Sequence, residues 1–593
     1  MSRHNNAGIL PDVLLDEANG LIQKLSKEQV LWLGGYLSGV GLNGSDNHAV
    51  AQQAVVSNNH EKISTNIKIL LGSHSGNGKL IAQAISKQAL VNKHNVETIS
   101  MADYKPKNLR NEENLIVIVS THGEGEPPVD AEDLHRFLGG KRVGDLSNLN
   151  YGVIALGDSS YKFFCQTGID FNDRLKKNGA KPIAEPFLLD LDFKEQIPSV
   201  AKELLDKFAS AGNNTRIAEA GNDFVIEENG LVKAELIDKV LLNGKGSQKE
   251  TWHIELDLEG KGLKYQPGDS LEVYAINKTS LVDGVLQQLQ LTGSELVYHN
   301  DEQLTVKEAL LIHKEITVIT MPVLSKLSAY VTEPDLNRLL DNRDELDVFL
   351  EGSDLLDVLN EFQFEISAQD LINTLRTLPP RAYSIASSQA EVDDEVHLTI
   401  GAVRYQKNQR EHNGVCSTYL VDDLQEGDEL VVRLKPNERF RLPHKDTDII
   451  LIGAGTGVAP YRSFIQQRAI DKGTGRNWLF FGDQHFETDF LYQSEWLKYR
   501  QQNILSKVDV AFSRDQKEKI YVQHRLKEKA DEVYQWLSNG AVIYICGDRK
   551  NMARDVQQAL VEIISQKEGI SITAAEEKLS AFRKSGRLQE DVY

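Results

Sequence analysis

The sequence predicts a multidomain α/β chain in which two doubly wound parallel sheets lie on either side of a β-barrel with a helical insertion. The chain has 593 residues, whereas one domain typically holds roughly 100–200 residues, so several domains are expected. Short apolar runs alternate with helical stretches in two separate parts of the chain, which indicates parallel βαβ units. The part between them is rich in turns and short strand-like runs, which is typical of a β-barrel.

The amino-terminal part is predicted to hold an extension and the first parallel sheet. Residues 1–62 are predicted to form a helical and flexible assembly region, in which an apolar-periodic stretch from Leu21 to Val40 precedes a polar run. Residues 63–210 are predicted to form the first α/β domain, and residues 211–230 a polar linker. The strands of this domain are predicted at Ile67–Leu71, Leu115–Val119, Val153–Leu156 and Phe187–Leu189.

The remaining chain is predicted to hold the barrel and the second parallel sheet. Residues 231–446 contain turn-rich β-like segments such as LKYQPGDSLEVYA and DEVHLTIGAVRY. A Leu-rich, charged stretch at about 278–375 interrupts them and predicts an inserted helical subdomain. Residues 447–593 return to the βα alternation, with strand-like runs in DIILIGAG, NWLFFGD and AVIYICGD.

Composition excludes several classes of protein. The chain has 66 basic and 87 acidic residues and a net charge of -21, which argues against nucleic-acid binding and fits docking on a basic partner. Its three cysteines, Cys165, Cys416 and Cys546, are too far apart for a disulfide framework or a metal or cluster site. No apolar run reaches the roughly 18–20 residues of a membrane span, and the amino terminus has no signal-peptide core. We therefore expect no metal, no membrane association and a reducing, cytoplasmic location.

A Gly- and Ser-rich loop, GSHSGNGK (72–79), follows the first predicted strand and opens a helix. Backbone N–H groups in such a loop close around an anion at the helix N-terminus, and the hydroxyls of Ser73 and Ser75 add donors. The alternative is a plain turn. The loop is not a P-loop, because Lys79 does not stand in the GxxxxGK[ST] frame.

Two further strands end in unusual loops, STHGEGEPP (120–128) and LGDSSYKFFCQTG (156–168). In a doubly wound sheet all three loops gather at the carboxyl ends of the strands, where ligands bind. Tyr161 is able to stack on a flat ring there, although an ordinary surface tyrosine is the alternative. Acidic residues crowd these loops and predict either a solvated face or a negative docking rim, at Glu124, Glu126, Asp130, Glu132, Asp133 and Asp158.

Together the three loops resemble the flavodoxin-like FMN domain of the diflavin reductase family. The sequence departs from the usual family pattern at Ser75 and Gly78, and it has His74 and His122 where Gln is common. The two histidines are either uncharged replacements for Gln or a source of pH sensitivity. The resemblance implies FMN contacts from Ser73, His74, Ser75, Gly76, Asn77, Gly78, Ser120, Thr121, His122, Gly123, Leu156, Gly157, Asp158, Ser159, Ser160, Tyr161, Phe164 and Cys165.

The segment RAYSIASS (381–388) matches the R-x-Y-S motif of ferredoxin-reductase-like FAD barrels. Arg381 is suited to bidentate contacts with a pyrophosphate, Tyr383 to packing on a flavin, and Ser384 to its N5 edge. GVCS (414–417) resembles the second pyrophosphate loop of these barrels. The resemblance implies FAD contacts from Thr317, Arg381, Ala382, Tyr383, Ser384, Thr399, Ile400, Gly401, Tyr405, Gly414, Val415, Cys416 and Ser417.

Two segments of the last domain predict an NADPH site. IGAGTGVAPYRSF (452–464) follows a strand and enters a helix, and its Gly-rich turn suits a pyrophosphate. SRDQKEKIYVQ (513–523) offers a hydroxyl, two cations and a phenol to the ribose phosphate that distinguishes NADPH from NADH. The implied NADPH contacts are Gly455, Thr456, Gly457, Ser513, Arg514, Lys519, Ile520, Tyr521, Val522, Gln523 and Asp555.

The catalytic residues that the resemblance implies come from three distant segments. In this family the R-x-Y-S serine, a cysteine and a near-terminal acid lie by the nicotinamide, and these positions are Ser384, Cys546 and Asp591. The acid is suited to stabilising the positive charge that develops on the nicotinamide as hydride leaves. An aromatic last residue, here Tyr593, covers the FAD in this family, whereas a frayed end is the generic expectation.

These stretches and the final DVY are most similar to the flavoprotein (alpha) subunits of bacterial assimilatory NADPH–sulfite reductases. The resemblance implies transfer of electrons from NADPH through FAD and FMN to a hemoprotein (beta) subunit with siroheme and an iron–sulfur cluster, in cysteine biosynthesis. It also implies homo-oligomerisation through the amino-terminal region. Three alternatives stay open: service to another haem protein, reduction of small quinones or nitro compounds, and a flavin-binding assembly subunit without turnover.

Overall fold

The computed structural model describes residues 65–73, 76–92, 94–211, 230–331 and 335–593. The predictions for residues 1–62, for His74 and Ser75, and for most of the 211–230 linker lie outside these residues. None of the helices in the described ranges is long and apolar enough to cross a membrane.

The first domain is a six-stranded parallel sheet with helices on both faces. The sheet order is β2-β1-β3-β4-β5, and β6 also pairs with β4. The strands are β1 (Asn66–Gly72), β2 (Asn95–Ser100), β3 (Asn114–Ser120), β4 (Asn150–Leu156), β5 (Lys181–Pro182) and β6 (Phe187–Leu189). The helices are α1 (Asn77–Val91), α2 (Val129–Leu138), α3 (Gln166–Lys177) and α4 (Ile197–Ala211). The four predicted strands are confirmed, and one apolar cluster covers each face of the sheet.

The second domain is built on a six-stranded antiparallel sheet of order β12-β9-β16-β7-β8-β13, whose two end strands lie close to each other, as in a barrel. Its strands are β7 (Leu231–Leu241), β8 (Thr251–Asp257), β9 (Ser270–Tyr274), β12 (Arg381–Ser384), β13 (Glu395–Gly401) and β16 (Glu429–Lys435). Inward side chains of these strands form one apolar core. The QPGD turn ends at Asp269, whose carboxylate accepts the backbone N–H of Gln266 at 2.8 Å, so this turn supports the barrel.

The predicted insertion lies between β9 and β12 and has its own apolar core. Its helices are α5 (Thr279–Gln288), α6 (Val306–Glu308), α7 (Met321–Leu327), α8 (Asp335–Asp341), α9 (Arg343–Leu350), α10 (Leu355–Glu361) and α11 (Ala368–Thr374). The helical prediction missed a small hairpin of β10 (Leu296–His299) and β11 (Glu302–Thr305). The barrel itself carries α12 (Gln389–Val392), α13 (Val415–Thr418) and a hairpin of β14 (Arg404–Lys407) and β15 (Arg410–Asn413).

The third domain is a five-stranded parallel sheet of order β19-β18-β17-β20-β21. Its strands are β17 (Ile449–Ala454), β18 (Asn477–Asp483), β19 (Lys507–Phe512), β20 (Val542–Gly547) and β21 (Leu588–Val592). Its helices are α14 (Ala459–Asp471), α15 (Phe486–Asp489), α16 (Gln493–Gln501), α17 (Val522–Glu528), α18 (Ala530–Ser538), α19 (Arg554–Glu568) and α20 (Ile572–Lys584). The chain end is therefore an ordered strand paired with β20, which places the last residues beside Cys546.

Candidate active site

The Gly- and Ser-rich loop joins β1 to the N-terminus of the 15-residue helix α1. A Cβ atom added to Gly78 would lie 2.8 Å from Cβ of Ser73 and 2.7 Å from Leu71, so a larger residue does not fit without movement. The glycine therefore lets the loop close tightly over the first turn of the helix. The first N–H groups of a helix have no partner within the helix, so this end of α1 fits the phosphate of FMN.

The loops after β3 and β4 are bonded to each other at the same edge of the sheet. The backbone N–H of Thr167 donates to Oγ1 of Thr121 at 3.1 Å, and the Thr167 hydroxyl donates to the carbonyl of Gly125 at 3.1 Å. The carboxylate of Asp190 accepts the backbone N–H of Ser159 at 3.0 Å. The Tyr161 ring is 56% exposed. These bonds hold the two loops at this edge of the sheet, and the exposed Tyr161 ring is accessible to a flat ring.

Unlike its immediate neighbours in this loop, Cys165 has a fully buried side chain. Its backbone is in the left-handed region (φ 56°) and its thiol is fully buried, with Sγ 3.3 Å from the carbonyl of Ala155. Burial raises the pKa of the thiol to about 12. The side chain therefore anchors the loop from inside, so only its backbone remains available for the predicted contact with FMN.

The acidic face of the first domain packs against basic side chains from later in the chain. Nη1 of Arg376 lies 3.0 Å from Oδ1 of Asp158, and the Arg376 side chain is only 6% exposed. Nζ of Lys584 lies 2.7 Å from Asp133. Two further pairs of the same polarity add to this contact, Arg439 with Asp130 and Lys550 with Glu124. One pair of reversed polarity joins Lys162 of the first domain to Asp347 of the insertion. The predicted rim is therefore an intramolecular contact in this structure.

A cavity of about 1350 Å³ lies between the barrel and the third domain and collects most of the predicted FAD and NADPH residues. From the barrel and its insertion it is lined by Thr317, Arg381, Ala382, Tyr383, Ser384, Thr399, Gly401, Tyr405, Gly414, Val415, Cys416 and Ser417. From the third domain it is lined by Gly455, Thr456, Ser513, Tyr521, Val522, Gln523, Asp555 and Tyr593. The predicted residues Ile400, Gly457, Arg514, Lys519, Ile520, Cys546 and Asp591 do not line it.

The barrel side of the cavity fits an anionic dinucleotide. Within the described ranges the side chain of Arg381 makes no hydrogen bond or ion pair, so its guanidinium is available to a pyrophosphate. A Cβ atom on Gly414 would lie 2.8 Å from Oγ of Ser417, which leaves room for the backbone alone. Burial raises the pKa of the Cys416 thiol to about 12, so this thiol adds no negative charge to the cavity.

The opposite side of the cavity is the Gly-rich turn before α14. Gly455 has φ +57°, and a Cβ atom on Gly457 would lie 2.2 Å from the carbonyl oxygen of Cys546. Only glycine fits that second position, which lets the turn approach β20 closely. Arg514 and Lys519 lie on the exposed loop after β19, where Nη1 of Arg514 contacts Oε1 of Gln248 at 2.7 Å. Because Gln248 lines the cavity, the Arg514 guanidinium lies at its edge, and both cations are exposed.

Three of the predicted catalytic side chains meet although they come from distant segments. Oγ of Ser384 on β12 donates to Oδ2 of Asp591 on β21 at 2.5 Å, and Sγ of Cys546 on β20 lies 4.0 Å from the same oxygen. Burial raises the pKa of Asp591, while the Ser384 hydrogen bond and Lys435 lower it. Burial also raises the pKa of Cys546, so its thiol is neutral. The Asp591 carboxylate is therefore bonded to Ser384, which lines the cavity.

The terminal residue is held inside this junction. The hydroxyls of Tyr593 and Thr456 lie 2.7 Å apart, and the backbone N–H of Tyr593 donates to the carbonyl of Gly547 at 3.3 Å. The Tyr593 ring is nevertheless 62% exposed towards the cavity. The Tyr593 ring is therefore accessible to a flat ring that binds in the cavity.

Sequence reasoning missed four residues of this region: Thr167, Asp190, Arg376 and Arg549. The first two bind the loops of the first domain, and the other two contact those loops from the rest of the chain. Asp190, Arg376 and Arg549 stand outside the motifs, and all four residues act on partners at least 31 residues away. Of the four, only Thr167 lies within a segment that already looked unusual.

Comparison with known proteins identifies all three domains. Family models match residues 69–219 (Flavodoxin), 228–419 (FAD binding domain) and 451–558 (Oxidoreductase NAD-binding domain). The Bacillus subtilis protein named sulfite reductase [NADPH] flavoprotein alpha-component is 43% identical over 588 residues, which is 97% of each chain. Proteins of the same name from Vibrio parahaemolyticus and Aliivibrio fischeri are 41% and 39% identical, over 99% of this chain and 96% and 98% of theirs. These matches confirm the predicted fold class and the cofactors FMN, FAD and NADPH.

Proposed function

The chain belongs to the sulfite reductase [NADPH] flavoprotein alpha-component family, and on that premise we propose the route that its electrons take. They enter as hydride from NADPH, pass through FAD and FMN, and leave singly to a hemoprotein (beta) subunit that reduces sulfite to sulfide. The hemoprotein carries siroheme and an iron–sulfur cluster in this proposal, and the sulfide serves cysteine biosynthesis in the cytoplasm. The enzyme itself is an NADPH-dependent flavoprotein oxidoreductase.

One observation carries the proposal: the hydrogen bond of 2.5 Å between Ser384 of the barrel and Asp591 of the third domain. It joins the barrel to the last strand of the third domain beside the cavity that both domains line, which supports hydride transfer between an FAD held by the barrel and a nicotinamide held by the third domain. When bound, FAD accepts two electrons as hydride and FMN releases electrons one at a time, which suits a haem acceptor. The task of the protein is to bind, orient and tune these groups.

The residues around the junction have distinct tasks in this proposal. Asp591, held by Ser384, places negative charge where the nicotinamide becomes positive as hydride leaves. Arg381 binds the FAD pyrophosphate, and Tyr593 covers the flavin until nicotinamide replaces it. Ser513, Arg514, Lys519 and Tyr521 bind the ribose phosphate, which is the only group that distinguishes NADPH from NADH.

The acidic face of the first domain is proposed as the site that meets the hemoprotein. In this structure its carboxylates pair with Arg376, Arg439, Lys550 and Lys584. A basic partner that replaces these cations would meet the exposed edge of the FMN site with complementary charge. The amino-terminal region, residues 1–62, is proposed to support homo-oligomerisation and binding of the hemoprotein.

The test uses the purified full chain with its bound flavins, first alone and then with the hemoprotein and sulfite. We expect equal FMN and FAD, rapid anaerobic bleaching by NADPH but not by NADH, and sulfide only when the hemoprotein is present. Bleaching of the flavins by NADPH without formation of sulfide would support the reductase activity and reject this hemoprotein as its electron acceptor. Rapid turnover with quinones or nitro compounds alone would favour a self-sufficient reductase, and absence of bleaching would favour a non-catalytic subunit.

A further inference from the structure

Arg549 joins the first domain to the end of the chain. It begins a five-residue turn (Arg549–Ala553) directly after β20. Its Nη1 atom lies 3.2 Å from Nδ1 of His122 in the loop after β3. Because a guanidinium has only donors, Arg549 donates and the imidazole nitrogen accepts. Its backbone N–H donates to the carbonyl of Tyr593 at 3.2 Å.

The contact between Arg549 and the loop is close. A Cβ atom on Gly123, whose φ is +58°, would lie 2.8 Å from Nε of Arg549, so the guanidinium packs directly on the loop backbone. Burial lowers the pKa of Arg549, whereas Glu126 and Glu590 raise it. Arginine remains protonated in proteins, so a half-buried cation is placed against the loop that we assign to FMN.

The same turn holds the terminal residue from both sides. The N–H of Tyr593 donates to the carbonyl of Gly547, and its carbonyl accepts the N–H of Arg549, so both backbone groups bond to residues that flank Asp548. The Tyr593 ring occupies the cavity that the barrel and the third domain share. Two backbone hydrogen bonds therefore link the 547–549 segment to the residue whose ring lines the cavity.

We propose that Arg549 is a positioning residue that couples docking of the first domain to the position of Tyr593. While His122 and Gly123 pack on Arg549, the turn is fixed and Tyr593 is held across the cavity. When this contact is lost, the turn becomes more mobile and nicotinamide displaces the Tyr593 ring more readily. Electron transfer to the first domain and entry of nicotinamide then alternate. The proposal rests on the proposed function in assigning the cavity to FAD and NADPH.

Hydrogen exchange of the oxidised holoenzyme, measured by mass spectrometry without NADPH, tests the coupling. Arg549→Ala keeps the backbone N–H that bonds to Tyr593, so a change at residues 588–593 arises from the lost side chain. We expect exchange there to rise about fivefold, the factor for one ordinary hydrogen bond. His122→Ala, on the other domain, should give the same rise, and His122→Gln, which keeps an acceptor, should not.

Lys584→Ala is the matched control, because Lys584 pairs with Asp133 of the same domain at 2.7 Å but does not contact the 547–549 turn. It should leave exchange at 588–593 unchanged. The double variant of His122 and Arg549 should exchange no faster than either single variant. Three results would each overturn the proposal. They are a rise in exchange at 588–593 in Lys584→Ala equal to that in Arg549→Ala, additive rises in the double variant, and unchanged exchange in His122→Ala at normal FMN content.

A kinetic readout separates this proposal from the proposed function. In anaerobic stopped-flow experiments, Arg549→Ala should speed reduction of FAD by NADPH by about threefold to fivefold and slow the following reduction of FMN. Unchanged rates in both phases would refute the coupling. If the unmodified enzyme is not reduced by NADPH at all, the proposed function fails, whereas the exchange experiment on oxidised protein still decides whether Arg549 couples the two segments.

Discussion

Replacing Ser384 with alanine removes the only side-chain hydroxyl that donates to Asp591 among the described residues, across a distance of 2.5 Å. A hydrogen bond to a charged group contributes about 1.5–3 kcal/mol, and this bond favours the ionised carboxylate. Burial already raises the pKa of Asp591. Loss of the bond raises the pKa of Asp591 further, because the ionised carboxylate loses its hydrogen-bond donor. The Cys546 thiol, 4.0 Å away, is only a weak donor and does not replace it.

The expected effect is a shift of the pH profile of hydride transfer. The reaction is proposed to need ionised Asp591, so its rate rises with pH as the carboxylate ionises. Since 1.4 kcal/mol corresponds to about one pH unit, Ser384→Ala should move the midpoint upward by roughly one to two pH units. At a pH below the new midpoint the rate of FAD reduction should fall by about tenfold to a hundredfold and recover as pH rises.

Anaerobic stopped-flow reduction by NADPH across pH 6–10 measures this profile. Ser388→Ala is the control, because it removes a hydroxyl of the same segment that bonds to Gln467 at 2.6 Å, away from Asp591. Asp591→Asn should be slow at every pH without recovery. A Ser384→Ala enzyme that is slow at all pH values, with an unchanged midpoint, would refute the argument that Ser384 acts through the ionisation of Asp591.

Three further predictions test other parts of the molecule. Arg514→Gln should lower the preference for NADPH over NADH by about tenfold or more, from the loss of one charge-assisted bond, as measured by kcat/KM for each cofactor; an equal loss with NADH would contradict it. Arg376→Leu, which breaks the buried pair with Asp158, should weaken docking by about 3 kcal/mol and slow FMN reduction while FAD reduction persists; equal slowing of both phases would reject that role. Burial lowers the pKa of His253 in the folded protein to about 3, whereas its ordinary pKa is near 6.5. The stability that neutral His253 contributes is therefore complete above about pH 6.5 and is lost as the pH falls below that value, because the unfolded chain then binds a proton that the folded protein does not. At pH 5 this loss is about 2 kcal/mol. Urea unfolding of His253→Gln should lack that loss, and the same acid sensitivity in the variant would exclude His253 as its source.

Some structural elements were outside the reach of sequence patterns. β2 reads NVETIS and lies at the sheet edge with half of its residues exposed and none buried, so it has no apolar run to reveal it. β21 reads LQEDV and becomes a strand only by pairing with β20. The hairpin at 296–305 lies in a stretch whose composition favours helix. In each case pairing with a neighbour, rather than the local pattern, decides the conformation.

The sequence by itself determined the order of the two parallel sheets and the barrel. Its motifs, through their resemblance to a known family, predicted the three cofactors and the loops that we assign to them, because each of these signals is written in contiguous residues. Strand periodicity and motifs such as 72–79, 381–384 and 513–521 depend on neighbours a few residues apart. The tertiary structure decided the contacts between these parts: Ser384 meets Asp591 across 207 residues, Arg376 meets Asp158 across 218, and Arg549 meets His122 across 427. Such contacts depend on how whole domains pack, and no local pattern encodes a distance of that kind.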